Sequence, residues 1–482
     1  MARDGLSMLD AAYEPGVAEL PAIFERGNVI TYGQLAARVR QRARDLAARG
    51  VGLGSRVALR ATCDVETIVS FFALIELGVA LVPIHPRLTD AEEQALVDDA
   101  HPDLRLSGPV TESLNTERLP EPVTGADVPA AIVYTSGTTG RPKGAVLSRK
   151  AFVASARASE TNLGWHSNDR WLVCMPLAHV GGLSILTRSL LARKPIVLEP
   201  RFDPEAVLRA IRRDGATQIS VVPTMLDALL EADRDGDLAR LRFVLVGGAA
   251  ASPILLERAA ERGLLALTTY GLTEACSQVT CQALRQPGTL EPGSGRALPG
   301  VELRIVREDG GAALANEVGF IEVRGPNLMS GYFAGPDKPP TMPTTDGWFA
   351  TGDMGAVDEL GRLFVHARRT DLIVTGGENV YPAEVEQALE QCAGVASAVV
   401  FGVPDARWGQ IVVAALVLNE NGLPENERAM NVIAEASNRL APHKRPRLVA
   451  VLPTLRRTPS GKIDRMAVCR DAMPRLVTVS SR

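Results

Sequence analysis

The eleven residues YTSGTTGRPKG, Tyr134 to Gly144, hold four aliphatic hydroxyls, three glycines, a proline and one lysine. They follow Ala131-Ile132-Val133, which reads as the end of a strand. A glycine-rich turn in that place can aim successive N–H groups at an anion, and the hydroxyls add donors. Lys143 supplies a mobile positive charge suited to a triphosphate. The spacing is not that of a P-loop, because Arg141 and Pro142 separate Gly140 from Lys143. By itself the stretch would also suit a flexible surface turn. Three shorter runs follow in order: YGLTE from Tyr270, TGD from Thr351 and PSGKIDR from Pro459.

The elements that must position these runs alternate along the chain. Helical periodicity marks 32–49, 66–77, 150–160, 204–213, 224–231 and 253–262, and short apolar, β-branched runs mark 56–59, 80–84, 132–135, 171–175, 196–198, 218–222, 243–246 and 265–269. Alternation of this kind predicts largely parallel sheets covered by helices, with ligands at the C-terminal strand ends. The loops at Tyr134, Gly247 and Tyr270 all follow strands and can meet at one edge. From about residue 285 Gly and Pro become dense, and alternating segments at 301–306, 319–324 and 361–367 predict a small antiparallel unit. Beyond Arg369 the pattern mixes strands (372–374, 398–402, 411–418) with helices (383–391, 431–440), and 418–428 reads as a surface loop.

A chain of 482 residues is too long for one core. The net charge of −4 gives no basic field for nucleic acid. Six cysteines are scattered through mostly apolar runs and read as reduced thiols of a cytoplasmic protein. Cys276 and Cys281 lie five apart with no other ligand nearby in sequence, so no zinc site is expected. The start shows no secretory signal, and the longest apolar stretch, 71–84, is broken by Glu76 and Gly78 and is too short to span a bilayer.

Taken together, YTSGTTGRPKG, YGLTE, TGD and PSGKIDR resemble the adenylate-forming superfamily of acyl-CoA synthetases, aryl-CoA ligases, amino-acid adenylation domains and luciferases. The resemblance runs from Ile30 to Arg465. It implies an α/β fold with a large N-terminal domain of several subdomains (1–368, β-rich and barrel-like over about 285–368) and a small, mobile α+β C-terminal domain (369–482). It also implies a reaction. A carboxylate attacks the α-phosphate of ATP, pyrophosphate leaves, and the thiol of coenzyme A then attacks the acyl-adenylate. Cations and N–H donors are needed where charge accumulates.

On that resemblance Ser136, Gly137, Thr138, Thr139, Gly140 and Lys143 cradle the phosphates. Tyr270 offers a flat face to adenine, with Gly271, Gly248 and Ala249 beside the nucleotide. Thr273 reaches the α-phosphate, and Glu274 is a hard oxygen ligand for Mg²⁺, with Thr138 as a second ligand. Asp353 accepts from the ribose hydroxyls with Arg368 as its companion, and Lys462 bridges carboxylate and α-phosphate. Arg369, Thr370 and Asp371 form the hinge. Here Ala367 replaces a glycine, and Thr370 stands where an aspartate is common. Gly376, Gly377 and Glu378 are expected at the pantetheine arm after rotation.

The acid pocket is expected around His179, Gly181, Gly182, Val222 and Gly247. Amino-acid adenylation domains carry an aspartate where Leu177-Ala178-His179 stands, and no carrier domain follows Arg482, which favours a free-standing CoA ligase. Gly181 and Gly182 suggest room for a ring. The run HVGGLSILTRSLL with Arg188 is similar to the 2-succinylbenzoate–CoA ligases of menaquinone biosynthesis, whose substrate has a second carboxylate that Arg188 could pair with. Benzoate or anthranilate, then a medium- or long-chain fatty acid, are the alternatives. A homodimer is left open.

Overall fold

The computed structural model describes residues 5–106, 123, 125–135, 142–336, 338–342, 344–368, 371–375, 378–405, 408–419, 424–458 and 461–479. Contacts group the chain into two compact units. One is Met1–Gly248 with Arg258–Leu303 and Val323–Phe349. The other is Ala249–Glu257 with Arg304–Glu322 and Ala350–Arg482.

In the first unit a six-stranded sheet runs in the order Gly331–Tyr332, Lys143–Ser148, Pro129–Thr135, Ala80–Ile84, Arg56–Arg60, Leu104–Leu106. Its inner strands Ala80–Ile84 and Arg56–Arg60 are parallel and nearly all buried, as β-branched runs covered on both faces should be. The helix Val65–Leu77 that connects them buries twelve of its thirteen residues. Asp64 caps its start, and Gly78 ends it in the left-handed region, φ +67°.

The second sheet has nine strands. Its centre is parallel, with Phe243–Val246 between Gln218–Val221 and Ala266–Leu272, and Trp171–Val173 beyond Gln218–Val221. Helices Arg149–Leu163 and Val180–Ala192 pack together, and the latter contacts Trp171–Val173 and Ser277–Cys281. Antiparallel pairing starts earlier than the sequence suggests. The strand Ala266–Leu272 runs through Tyr270 and Gly271 and pairs with Ser277–Cys281, so YGLTE begins inside a strand rather than after one.

The second unit carries most of a small antiparallel sheet and a six-stranded sheet with helices Pro382–Glu390, Glu425–Ala436 and Arg465–Ala472. The long pair Val395–Asp405 and Gly409–Leu418 forms the middle of the latter, with one apolar core on each face. The expected surface loop over 418–428 is shorter than predicted, and the helix expected from 431 starts at Glu425. Ala429, Val432, Ile433 and Ala436 supply the buried stripe, and Glu425 and Glu427 sit favourably in its first turn.

Candidate active site

The phosphate loop is anchored at both ends. Pro129–Thr135 and Lys143–Ser148 pair antiparallel with Thr135 opposite Lys143, so Lys143 opens the returning strand instead of lying in the turn. Ser136, Gly137, Thr138, Thr139 and Gly140 lie outside the described residues. Next to Lys143–Ser148 runs the two-residue strand Gly331–Tyr332. The Lys143 ammonium lies 5.3 Å from the centre of the Tyr332 ring. The Tyr332 hydroxyl donates to a Glu274 carboxylate oxygen at 2.8 Å, and the Met329 N–H donates to the Glu274 carbonyl at 2.7 Å. One tyrosine therefore joins Lys143 to the carboxylate expected to meet magnesium. Nothing in its spacing marks it in the sequence, because a two-residue strand has no period to read.

Tyr270, Thr273 and Glu274 are half-buried. Thr273–Ala275 form a single 3₁₀ turn that ends at Cys276 in the left-handed region, φ +48°. The register shifts between Tyr270 and Gly271, and a Cβ at Gly271 would lie 1.9 Å from the Ser277 carbonyl oxygen. Glycine is required there by the folding back of the hairpin itself. A half-buried carboxylate beside a threonine hydroxyl fits a hard cation held mainly by phosphate oxygens.

At the parallel strand ends, Val221 stands opposite Val246 and Val246 opposite Thr268, which puts Val222, Gly247 and Thr269 in the next row. The Gly247 N–H donates to Val221 O at 3.1 Å. Gly248 and Ala249 follow, exposed. His179 occupies the N-cap position of Val180–Ala192 without capping it through its side chain. Its ring lies 5.3 Å from that of His85, a residue the sequence reading did not single out. Gly181 and Gly182 do not open space for a ring. A Cβ at Gly182 would lie 2.7 Å from Pro176 O, and one at Gly181 would lie 2.8 Å from the Met175 methyl. They let the helix start pack on the preceding loop.

Arg188 is 3% exposed, so it is not on a helix surface. It donates to Ser277 Oγ at 3.2 Å and stacks over Trp171 at 5.5 Å. Ser184 Oγ lies within hydrogen-bonding distance of Gly181 O, 3.1 Å, and of Ser277 Oγ, 3.3 Å. Burial pushes the guanidinium down to about 10. It makes no ion pair with a carboxylate among the described residues, and its Nε has no hydrogen-bond partner among them.

In the second unit Asp353 pairs with Arg368 across the antiparallel strands Trp348–Val357 and Leu363–Arg368. The Asp353 N–H donates to Thr351 Oγ1, which donates to Ile321 O, so TGD holds its own backbone in place. Lys462 is exposed on a hairpin closed by the Arg457–Ile463 bridge and by Thr458 N–H to Lys462 O, 2.7 Å. Three residues on, Arg465 binds Glu386 at 2.7 Å and lies 3.8 Å from Asp371. Glu378 opens a strand whose partner is Thr375. Arg369, Thr370, Gly376 and Gly377 lie outside the described residues, as does the side chain of Arg368.

Residues 12–121 and 105–333 match the AMP-binding enzyme family, and 384–462 match its C-terminal domain. The chain belongs to the AMP-binding enzyme family. It is 35% identical to 2-succinylbenzoate–CoA ligase of Enterococcus faecalis (strain ATCC 700802 / V583) over 85% of this chain and 87% of that protein. Its fold is similar to that of o-succinylbenzoate CoA synthetase from Bacillus subtilis in complex with its acyl-adenylate intermediate (TM-score 0.84, 32% identity, 96% of this chain and 97% of that one). The same enzyme in complex with ATP and magnesium ion gives a TM-score of 0.83 at 32% identity, over 97% and 99% of the two chains. The reaction class of this family member is therefore the AMP-forming ligation of an acid to coenzyme A. Among the described residues no helix is long and apolar enough to cross a membrane.

The contacts of Tyr332 carry a prediction. Tyr332→Phe is expected to weaken Mg·ATP binding, read by titration calorimetry without acid, about tenfold, the effect of one hydrogen bond to a charged group. Thioester formation from supplied adenylate is expected to stay unchanged. Unaltered Mg·ATP binding would remove Tyr332 from the site.

Proposed function

We propose that this protein is a 2-succinylbenzoate–CoA ligase acting in menaquinone biosynthesis. The supporting observation is Arg188, a buried guanidinium that makes no ion pair with a carboxylate among the described residues. Burying a cation without a counter-charge is costly, and a substrate anion relieves the cost. 2-Succinylbenzoate has two carboxylates, one to activate and one to spare for Arg188. The named ligases and the adenylate-bound enzyme similar to this chain act in the same sense.

ATP is held by the phosphate loop with Lys143, by Tyr270 and Thr273, and by Asp353 at the ribose. Glu274 would hold Mg²⁺, which would neutralise phosphate charge when bound. The acid enters at His179, Val222 and Gly247. A carboxylate oxygen bonds to the α-phosphorus as the bond to pyrophosphate breaks, and Lys462 offsets the charge between the two anions. The segment from residue 369 would then turn about the hinge Arg369, Thr370 and Asp371 and bring Gly376, Gly377 and Glu378 to the pantetheine arm. The thiol attacks the acyl carbon, releasing AMP and the thioester.

Thioester formation with 2-succinylbenzoate, benzoate, anthranilate and octanoate tests the substrate reading. The succinyl acid is expected to lead the others in kcat/KM by about 10² or more, the size of a charge-pair discrimination. A clear lead for octanoate or benzoate would reject it.

A further inference from the structure

His85 directly follows the strand Ala80–Ile84. Leu81 pairs with Ala131 in the neighbouring parallel strand, so counting along both places His85 beside Thr135, the last residue before the phosphate loop. Its other neighbour is His179, at 5.3 Å and 40° between ring planes. The imidazole thus stands between Thr135 and His179.

His85 is only 7% exposed. Its Nδ1 accepts a hydrogen bond from the Arg87 backbone N–H at 3.1 Å. A nitrogen that accepts carries no hydrogen, so the ring is neutral and its single N–H is at Nε2. Burial, helped by Arg87, lowers the pKa and favours the same neutral form. That Nε2 is buried and has no hydrogen-bond partner among the described residues. Buried donors are almost always satisfied, and an orphan calls for a partner that arrives with a ligand.

We propose that the His85 Nε2–H binds a carboxylate oxygen of the acid substrate and, after activation, an acyl oxygen of the adenylate. This rests on the reading that the acid pocket lies against His179. An ATP phosphate oxygen would offer the same acceptor chemistry, so the test varies the two substrates separately. His85→Phe keeps a ring and removes the donor, and His85→Gln restores a donor.

In acid-dependent ATP–pyrophosphate exchange, His85→Phe is expected to raise the KM for the acid about tenfold and leave that for ATP within about twofold. His85→Gln is expected to recover a good part of the loss. A rise for ATP alone, or no change for either, would overturn the assignment. His179→Ala separates the two levels. If it moves the acid KM while His85→Phe does not, only the role of His85 falls. If neither moves it, the pocket reading falls as well. Should His85→Phe fail to fold, the wild-type protein labelled with ¹⁵N-histidine has six imidazoles to follow. An acyl-sulfamoyl adenosine should shift the His85 Nε2 resonance, assigned by its loss in His85→Gln, and an unmoved resonance would overturn the proposal.

Discussion

Replacing Lys462 by Ala is expected to lower the rate of acyl-adenylate formation about 10³-fold, while thioester formation from supplied adenylate is expected to stay within about threefold. The asymmetry follows from charge. Adenylation brings a carboxylate against a phosphate, so an ammonium there is worth most in the transition state. Thiolation joins a neutral thiol to the acyl carbon and displaces AMP, after pyrophosphate has already left the α-phosphorus. The substitution is also mild structurally. Lys462 is exposed, and its hairpin is closed by main-chain bonds and by the Arg457–Ile463 bridge, which do not use its side chain. Its neighbour Arg465 keeps Glu386 and Asp371. Single-turnover quench experiments on each half-reaction read the two rates. Equal losses in both would mean that Lys462 only shapes the domain.

Replacing Arg188 by Met is expected to lower kcat/KM for 2-succinylbenzoate about 10³-fold and to change that for benzoate by no more than about threefold. Methionine keeps a flexible, apolar stem over Trp171 and removes the charge. The melting temperature is expected to hold or rise, since a buried guanidinium with no carboxylate partner among the described residues is itself destabilising. Lysine is no substitute, because the hydrogen bond to Ser277 comes from one arm of a planar fork. Competition kinetics with the two acids give the ratio directly. A parallel loss for benzoate would make Arg188 a packing residue.

Much of the scaffold is legible in the sequence because its period is strong. The strands Ile196–Leu198 and Phe243–Val246 and the helix Pro204–Asp214, capped by Asp203 and closed by Gly215, fall where periodicity puts them. Errors gather where local signals compete. Glu425–Arg428 look like loop because proline and charge precede the apolar stripe, yet Pro424 can stand at the N-cap of a helix. Gly181 and Gly182 look like an opened pocket, but what lies beside a glycine depends on the chain before it, here Met175 and Pro176. His85 and Tyr332 have no motif around them. What singles them out is contact with residues 94 and 58 positions away, His179 and Glu274, which no window along the chain can hold.

In the proposed reaction the acid is activated through its own oxygen on the α-phosphate of ATP. A turnover with 2-succinylbenzoate carrying ¹⁸O in the reacting carboxylate, read by mass spectrometry, tests it. One ¹⁸O is expected in AMP, the other retained in the thioester, and none in pyrophosphate. Label appearing in inorganic phosphate, with ADP as the nucleotide product, would contradict it.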